Sequence, residues 1–296
     1  MNPRAQIRFL PDGRRLHLQD GPIDLIIGAF GSPVELERAY DAAAARFVTV
    51  LDELCDELSY LRHCCSPDAD WPRGTVARRM TAAVMPYAPE CFITPMAAVA
   101  GAVAEEILEA MLVAAEVSRA YVNNGGDIAV HLSPGEKFVV GMVERPDRPS
   151  LFGLATLNSS DLVRGIATSG WRGRSFSLGI ADAVTVLADR AAAADAAATI
   201  IANAVDLPGH PAVVRVPACD LAPDSDLGHR PVTRHVGELM AAEVEHALAS
   251  GIQTAGKLLR MGLIRNAALN LRGETRVLES VAEASIRTEE RTLLHA

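Results

Sequence analysis

Two oxygen-bearing side chains stand four residues apart in an otherwise apolar stretch, "RAAAADAAATIIANAV", at positions 190–205. Its alanine content predicts a helix, which places Asp195 and Thr199 one turn apart on one face. No lysine or arginine lies one turn from Asp195, and an unpaired carboxylate in an apolar setting is costly. Mg²⁺ prefers hard oxygen ligands combined with substrate phosphates, so we expect Asp195 and Thr199 to bind Mg²⁺. The alternative is a half-exposed helix with Asp195 in water.

A pair of glycines follows a pair of asparagines in "NNGGDI". Such a turn tolerates positive φ and presents backbone amides at close range, so we expect Asn124, Gly125 and Gly126 to contact a ligand. Asp127 opens the next strand, where a side chain is held rigidly, and is our candidate for orienting a reactant or accepting a proton. An ordinary hairpin turn is the alternative interpretation.

Two further stretches end in small polar residues. "GIATSG" reads as a strand that runs into Ala167, Thr168 and Ser169, whose hydroxyls and free amides suit phosphate or cation coordination. "ITPMAAVAGAVAEE" begins a long helix with Thr94 as the N-cap and Pro95 as the first helical residue. The small residues of this helix start either pack tightly against a sheet or helix, or border a bound ligand.

The elements that must position these residues change character along the chain. Two short strands around a Pro-Asp-Gly turn and an apolar strand come first, and long helices follow. Strands then run from Tyr121, the Asp195 helix comes next, and a helical region closes the globule. This order predicts an α+β fold in a single domain, residues 1–296, whose parts are a hairpin with helices at about 1–120, the motif-bearing sheet and helix at about 121–205, and a helical part at about 206–296. We expect residues 206–231 to be a connection.

Composition limits the classes of partner. The chain has 296 residues, 49% of them hydrophobic, and a net charge of -9, which argues against nucleic-acid and anionic-membrane surfaces. The N-terminal residues lack the apolar core of a signal peptide, and the most apolar long segment, 96–117, contains four glutamates. We therefore predict a cytoplasmic protein with no membrane span.

The chain has five cysteines at irregular spacing, which predicts reduced thiols. The vicinal pair Cys64 and Cys65 either lies as free thiols in a linker or handles a metal or sulfur. A thiol carrier that uses these two residues is therefore a further functional hypothesis.

The motifs "VNNGGDI", "GIATSG" and "DAVTVLAD" leading into "ADAAAT" resemble, in this order and spacing, the motif set of the FAD:protein FMN transferase superfamily, the ApbE-like proteins. The resemblance implies that Asp195 and Thr199 hold Mg²⁺ beside the pyrophosphate of FAD. It also implies that the Gly125–Gly126 turn and residues 167–169 line the pocket for FAD or FMN, and a weaker match at the helix start adds Thr94. The fold it implies is a T-fold-like roll with duplicated β-α-β halves and long packed helices.

The interval in which the transferases carry a histidine is here "WRGRSFSLGI", with Ser175 and Ser177 in its place. The chain resembles the cytoplasmic, uncharacterised branch of the family, of which some members are linked to sulfur mobilisation and homocysteine formation. Two functions remain open: FMN transfer from FAD to a serine or threonine of an acceptor protein, with release of AMP, and non-transferase binding of a small phosphorylated ligand. The long alanine-rich helices are compatible with a homodimer.

Overall fold

A nine-stranded antiparallel sheet forms the middle layer of the fold. The computed structural model describes residues 4–66, 68–143, 151–279 and 286–288. Numbered in chain order, the strands of all sheets are β1 Gln6–Phe9, β2 Leu16–Asp20, β3 Ile23–Phe30, β4 Arg119–Asn124, β5 Asp127–Leu132, β6 Lys137–Val143, β7 Leu151–Asn158, β8 Gly165–Ser169, β9 Ala183–Ala188, β10 Val213–Pro217, β11 Pro231–Val236, β12 Asn266–Leu271, β13 Glu274–Glu279 and β14 Ile286–Thr288.

In chain order, the helices are α1 Pro33–Asp56, α2 Leu58–Leu61, α3 Thr75–Val84, α4 Val99–Ala114, α5 Ala191–Ala204, α6 Ala218–Leu221 and α7 Ala241–Arg260, and a 3-10 turn, Pro95–Ala98, leads into α4. The long helices α1, α4, α5 and α7 lie on one face of this sheet. Among the described helices none is both long enough and apolar enough to cross a membrane.

The strand order of the large sheet is β1-β2-β3-β4-β5-β8-β9-β12-β13, with every neighbouring pair antiparallel. A hairpin (β2-β3), a group of helices and a second hairpin (β4-β5) occupy one half. The hairpin β8-β9, further helices and the hairpin β12-β13 occupy the other. The fold is therefore mixed α and β with mostly antiparallel sheets, in agreement with the predicted α+β class.

Two apolar cores lie on the two faces of the sheet because alternate strand residues point to opposite sides. The helix-side core takes residues such as Val122, Ala129, Ala167, Val186 and Leu269. The opposite face packs against a small sheet of β6, β7 and β14 through residues that include Val130, Leu157, Ile166, Leu187 and Ala268. Every residue of β9 and β12 is buried, as expected for strands covered on both faces.

The start of α5 is held between α4 and β8 by two glycines. A Cβ at Gly101 would lie 2.3 Å from the carbonyl oxygen of Ala191, and a Cβ at Gly165 would lie 2.2 Å from its amide nitrogen. Real Cβ atoms do not approach backbone this closely, so only glycine permits the contact at either position. The small-residue helix start noted in the sequence therefore serves close packing here.

Each of these two helices receives its cap from the other. Neither Ala98 nor Arg190, the N-cap residues of α4 and α5, makes a side-chain capping bond. Instead, the Gly101 amide donates to Asp195 Oδ2 at 3.0 Å, and the Ala192 amide donates to Glu105 Oε1 at 2.9 Å. Amides in the first turn of a helix lack intrahelical acceptors, so each acid provides an acceptor for one such amide of the other helix.

Two expectations about the elements need correction. Residues 206–231 hold strand β10, helix α6 and the start of β11 rather than a plain connection, because the strand "VVRVP" pairs with a partner beyond the proline-rich segment. The part at about 206–296, expected to be helical, also contains strands β12 and β13, which pair with each other.

We expect Gly101→Ala to lower the free energy of unfolding by about 2–3 kcal/mol, because the added methyl group meets helix α5 backbone that cannot move aside. Urea denaturation measures this change. The matched control is Gly256→Ala in α7, where the nearest atom is the tip of Arg260 at 3.5 Å. That variant should gain about 0.5–1 kcal/mol from the reduced freedom of the unfolded chain. Equal effects at the two glycines would contradict the close contact.

Candidate functional site: a buried carboxylate pair

Asp195 and Asp127, from helix α5 and the start of β5, form a pair of carboxylates near the middle of the fold. Burial, and then the charge of Asp127, raises the pKa of Asp195 well above its usual range, while the amides of Gly101 and Ala100 act in the opposite direction. Both residues are half-buried, and burial is the largest cause of the raised pKa of each carboxyl group. The predicted acid of the helix and the predicted acid of the turn are thus brought together.

Asp127 has a raised pKa of its own. Burial raises the pKa of this carboxyl to about 7, against the smaller lowering effects of a hydrogen bond from the Thr168 amide and the charge of Arg174. Two enclosed carboxyl groups side by side cannot both ionise cheaply. The pair therefore either retains protons at neutral pH or requires a cation.

The glycine turn is a two-residue hairpin connection between Asn124 and Asp127, which pair across it. Gly125 and Gly126 have φ of +67° and +114°, values that hairpin turns of this length need and that L side chains rarely adopt. The Gly126 amide donates to Asn123 Oδ1 at 2.8 Å, which fixes the turn. The turn thereby sets where Asp127 enters β5.

Hydrogen bonds tie this turn to helix α4 and to strand β8. Asn124 is 5% exposed and its Nδ2 donates to the carbonyl oxygen of Ala100 at 3.2 Å. The Thr168 amide donates to Asp127 Oδ1 at 3.2 Å, and the Thr168 hydroxyl lies 2.9 Å from that of Thr185 on β9. The carboxylate pair therefore lies where the starts of α4, α5 and β5 meet the end of β8.

The other predicted residues differ in their burial. Ala167 is buried in the helix-side core, and Ser169 is half-buried at the end of β8. Thr199 lies one turn after Asp195 and is half-buried, and within the described part of the chain its hydroxyl has no hydrogen bond.

Thr94 departs from the expectation of a capping bond. It is the N-cap residue of the 3-10 turn, as its sequence position predicts, but its side chain makes no capping bond. Its hydroxyl donates to Asp226 Oδ2 at 2.5 Å instead, in the segment between β10 and β11.

Arg174 is a site residue that the sequence did not reveal. A Cβ at Gly125 would lie 1.7 Å from Arg174 Nη2, so the guanidinium rests directly on the glycine turn. Arg174 is exposed, and among the described residues its guanidinium has no hydrogen bond or ion pair. Nothing in "WRGRSFS" distinguishes it from Arg172, whose guanidinium is bonded to Asp182 at 2.6 Å. Ser177, in the same interval, is buried and lies 3.3 Å from Asn203 Oδ1.

The donor set suits a hard divalent cation. Two carboxylates and a threonine hydroxyl offer oxygen ligands, and a cation would stabilise the ionised carboxylates against the burial that raises the pKa of both groups. No cluster of three or more histidine, cysteine or acidic side chains with metal-binding geometry occurs in the described ranges. Mg²⁺ fits such a sparse set because it is commonly held by one or two carboxylates together with phosphate oxygens.

A cavity of about 860 Å³ lies beside the first hairpin. It is lined by Phe9, Tyr40 and Tyr121 together with the Arg14 and Arg15 segment, and neither Asp127 nor Asp195 reaches it. The carboxylate pair, which has the reactive groups, remains the stronger candidate for the functional site.

The fold and the carboxylate pair define an α+β protein with a polar site built at the starts of two helices. The chain matches the family model described as AbpE bacteria over residues 7–277, nearly its whole length, and belongs to that family. This confirms the resemblance to ApbE-like proteins that the motifs indicated.

Curated relatives that the chain resembles are UPF0280 proteins of methanogenic archaea. It is 41% identical to the protein of Methanopyrus kandleri over 128 residues, 43% of this chain and 48% of the relative. It is 39% identical to that of Methanococcoides burtonii over 150 residues, 50% of this chain and 58% of the relative. For Methanothermobacter thermautotrophicus the identity is 41% over 119 residues, 39% of this chain and 44% of the relative. The matches therefore span about half the length of these relatives.

Without added Mg²⁺, we expect the free energy of unfolding to decrease as the pH rises from about 4 to about 7. In this window the unfolded chain has released the Asp127 proton, whereas the folded protein still binds it, so raising the pH favours the unfolded state. The raised pKa of Asp195 acts in the same direction. Urea denaturation in EDTA at several pH values measures the slope.

Asp127→Asn should flatten this slope, and Asp41→Asn, at an exposed position of α1, should leave it unchanged. A wild-type slope that survives in Asp127→Asn would show that other groups cause the pH dependence.

Proposed function

We propose that this protein binds Mg²⁺ together with a flavin nucleotide or a similar diphosphate ligand at the carboxylate pair. The observation that carries the proposal is the juxtaposition of Asp127 and Asp195, each with a pKa raised by burial, beside the exposed guanidinium of Arg174. A site with two acids and one exposed arginine suits a metal-bound anion, because the metal pairs with the acids and the arginine pairs with the anion.

Each residue has a role in this proposal. Asp195 and Thr199 hold the cation, and the Gly125 amide approaches the diphosphate. Gly126, whose amide is bonded to Asn123 Oδ1, keeps the turn in place beside the ligand. Residues 167–169 line the ligand pocket. When bound, the cation neutralises charge on the diphosphate and so eases cleavage of its anhydride bond.

Arg174 contacts a phosphate, and Asp127 orients a reactant or accepts its proton. Thr94 has at most an indirect role, since its hydroxyl is bonded to Asp226. The hairpin–helices–hairpin order of both halves supports a duplicated, T-fold-like origin of this arrangement.

A second candidate is transfer of FMN from FAD to a serine or threonine of an acceptor protein, with release of AMP. The pKa of Asp127, about 7, favours it, because a group of that pKa accepts the proton of a hydroxyl effectively near neutral pH. The absence of the family histidine from residues 171–180 favours binding without transfer, in an accessory role such as sulfur mobilisation or homocysteine formation.

We expect FAD to bind in a Mg²⁺-dependent manner, and Asp195→Asn to weaken this binding roughly tenfold or more. Asparagine keeps an oxygen acceptor for the Gly101 amide but lacks the charge that attracts the cation. Quenching of flavin fluorescence, titrated with Mg²⁺ or EDTA, measures the affinity. Urea denaturation of the same variant separates loss of binding from loss of stability.

The same incubation, with an acceptor protein that exposes serine and threonine, is assayed for AMP and for a covalent FMN mass shift. AMP release supports transfer, and saturable FAD binding without AMP supports the binding role. FAD affinity that is equal in Mg²⁺ and EDTA would contradict both.

Arg174→Gln should weaken FAD or ADP binding about tenfold while leaving the Mg²⁺ concentration that gives half-maximal binding nearly unchanged. The guanidinium contributes charge-assisted hydrogen bonds to phosphate but does not bind the cation. Arg234→Gln, at an exposed position of β11, removes the same charge away from the site and is the matched control. Equal affinities of the two variants would exclude Arg174 from the ligand site.

A further inference from the structure

A cysteine and a histidine lie side by side in the segment that joins β10 and β11. The Cys219 Sγ atom is 3.3 Å from Nδ1 of His229, within hydrogen-bonding distance for a thiol. All five cysteines are free thiols, and in the described residues Cys219 alone has an imidazole partner. A thiol hydrogen-bonded to an imidazole is the arrangement that activates cysteine as a nucleophile.

Backbone hydrogen bonds fix the chain segments that carry the two side chains. The Cys219 amide donates to the carbonyl oxygen of Gly228 at 2.8 Å, and the Ala218 amide donates to that of Arg230 at 3.0 Å. The residues before and at the cysteine are therefore paired directly with those around the histidine. The backbone pairing therefore holds the two residues next to each other, within reach of the thiol–imidazole contact.

The charged groups around the pair are few. Asp220 Oδ1 lies 3.8 Å from the sulfur, whereas Asp226 is bonded to Thr94. The Arg230 guanidinium lies over the Phe92 ring, 3.2 Å from its centroid. Asp220 is thus the charged side chain closest to the thiol, and its negative charge disfavours approach of phosphoryl groups.

Access to reagents and an imidazole partner characterise the Cys219 thiol. Cys219 is half-buried and His229 is exposed, so a small reagent reaches both. Burial raises the pKa of Cys65 to about 11 and also raises the pKa of Cys91, which keeps both of those thiols protonated at neutral pH.

We propose that Cys219 and His229 form a thiol–imidazole pair that reacts with small, uncharged or cationic disulfides, at a site separate from the carboxylate pair. A thiolate is a soft nucleophile that attacks disulfide sulfur readily, and this exchange needs no oxyanion hole. The negative charge of Asp220 selects against anionic substrates.

The exchange is balanced within the named groups. His229 Nδ1 accepts the thiol proton, and the Cys219 sulfur attacks one sulfur of the disulfide. The old S–S bond breaks as the new one forms, and the departing thiolate takes the proton from the imidazolium. The products are a mixed disulfide on Cys219 and one free thiol, so the disulfide itself is the oxidant.

The test uses 2,2′-dithiodipyridine, a neutral disulfide whose released thione is measured by absorbance, on the full-length protein. We expect a fast phase at pH 7 that labels the peptide containing Cys219 and disappears in Cys219→Ser. His229→Gln should slow this phase about tenfold at pH 7, with the rates of the two proteins converging above the pKa of an ordinary thiol.

Cys55→Ser removes an exposed thiol without an imidazole partner and should leave the fast phase intact. Circular dichroism verifies that each variant is folded. A fast phase that labels another cysteine, or a His229→Gln variant as fast as wild type at pH 7, would overturn the proposal.

Discussion

The carboxylates of Asp195 and Glu105 hold the starts of helices α5 and α4 together. The side chain of each acid accepts a hydrogen bond from a backbone amide of the other helix, at 3.0 Å for Asp195 and 2.9 Å for Glu105. The close approach that makes these bonds geometrically available depends on glycine at position 101, where a side chain would strike the partner backbone. Arg190 and Arg79 neutralise Glu105, whereas Asp195 has the acidic Asp127 for a neighbour. Glu105 is therefore paired with cations, whereas Asp195 lies beside a second acid.

That inequality explains why one acid is structural and the other is a candidate for function. A helix start carries partial positive charge and helps to hold an anion, but it does not fully offset an enclosed carboxylate beside a second one. Asp195 therefore accepts hydrogen bonds from backbone amides, but these bonds do not fully offset the cost of ionising its carboxyl group. Structural and functional interpretations of Asp195 are compatible, because a carboxylate has two oxygens and Oδ2 alone meets the Gly101 amide.

Local patterns in the sequence predicted the features that depend on local physics. The Gly125–Gly126 turn, the strands on either side of it and the alanine-rich helix around Asp195 are all present. Features created by packing were not predictable. The exchange of caps between Glu105 and Ala192 joins residues far apart in sequence, and Arg174 differs from Arg172 only in what lies next to it. The strand β10 was missed because its pairing partner follows a proline-rich segment.

The exchanged caps also constrain how the molecule forms. The two bonds span 94 and 87 residues of chain, so each demands closure of a long loop before it contributes any stability. The first turn of each helix is fully hydrogen-bonded only when the other helix is in place, so the two helix starts form together. Contacts between residues so far apart in sequence are typical of slow-folding topologies. The surroundings of Asp195 are therefore complete only once helices α4 and α5 have docked against each other.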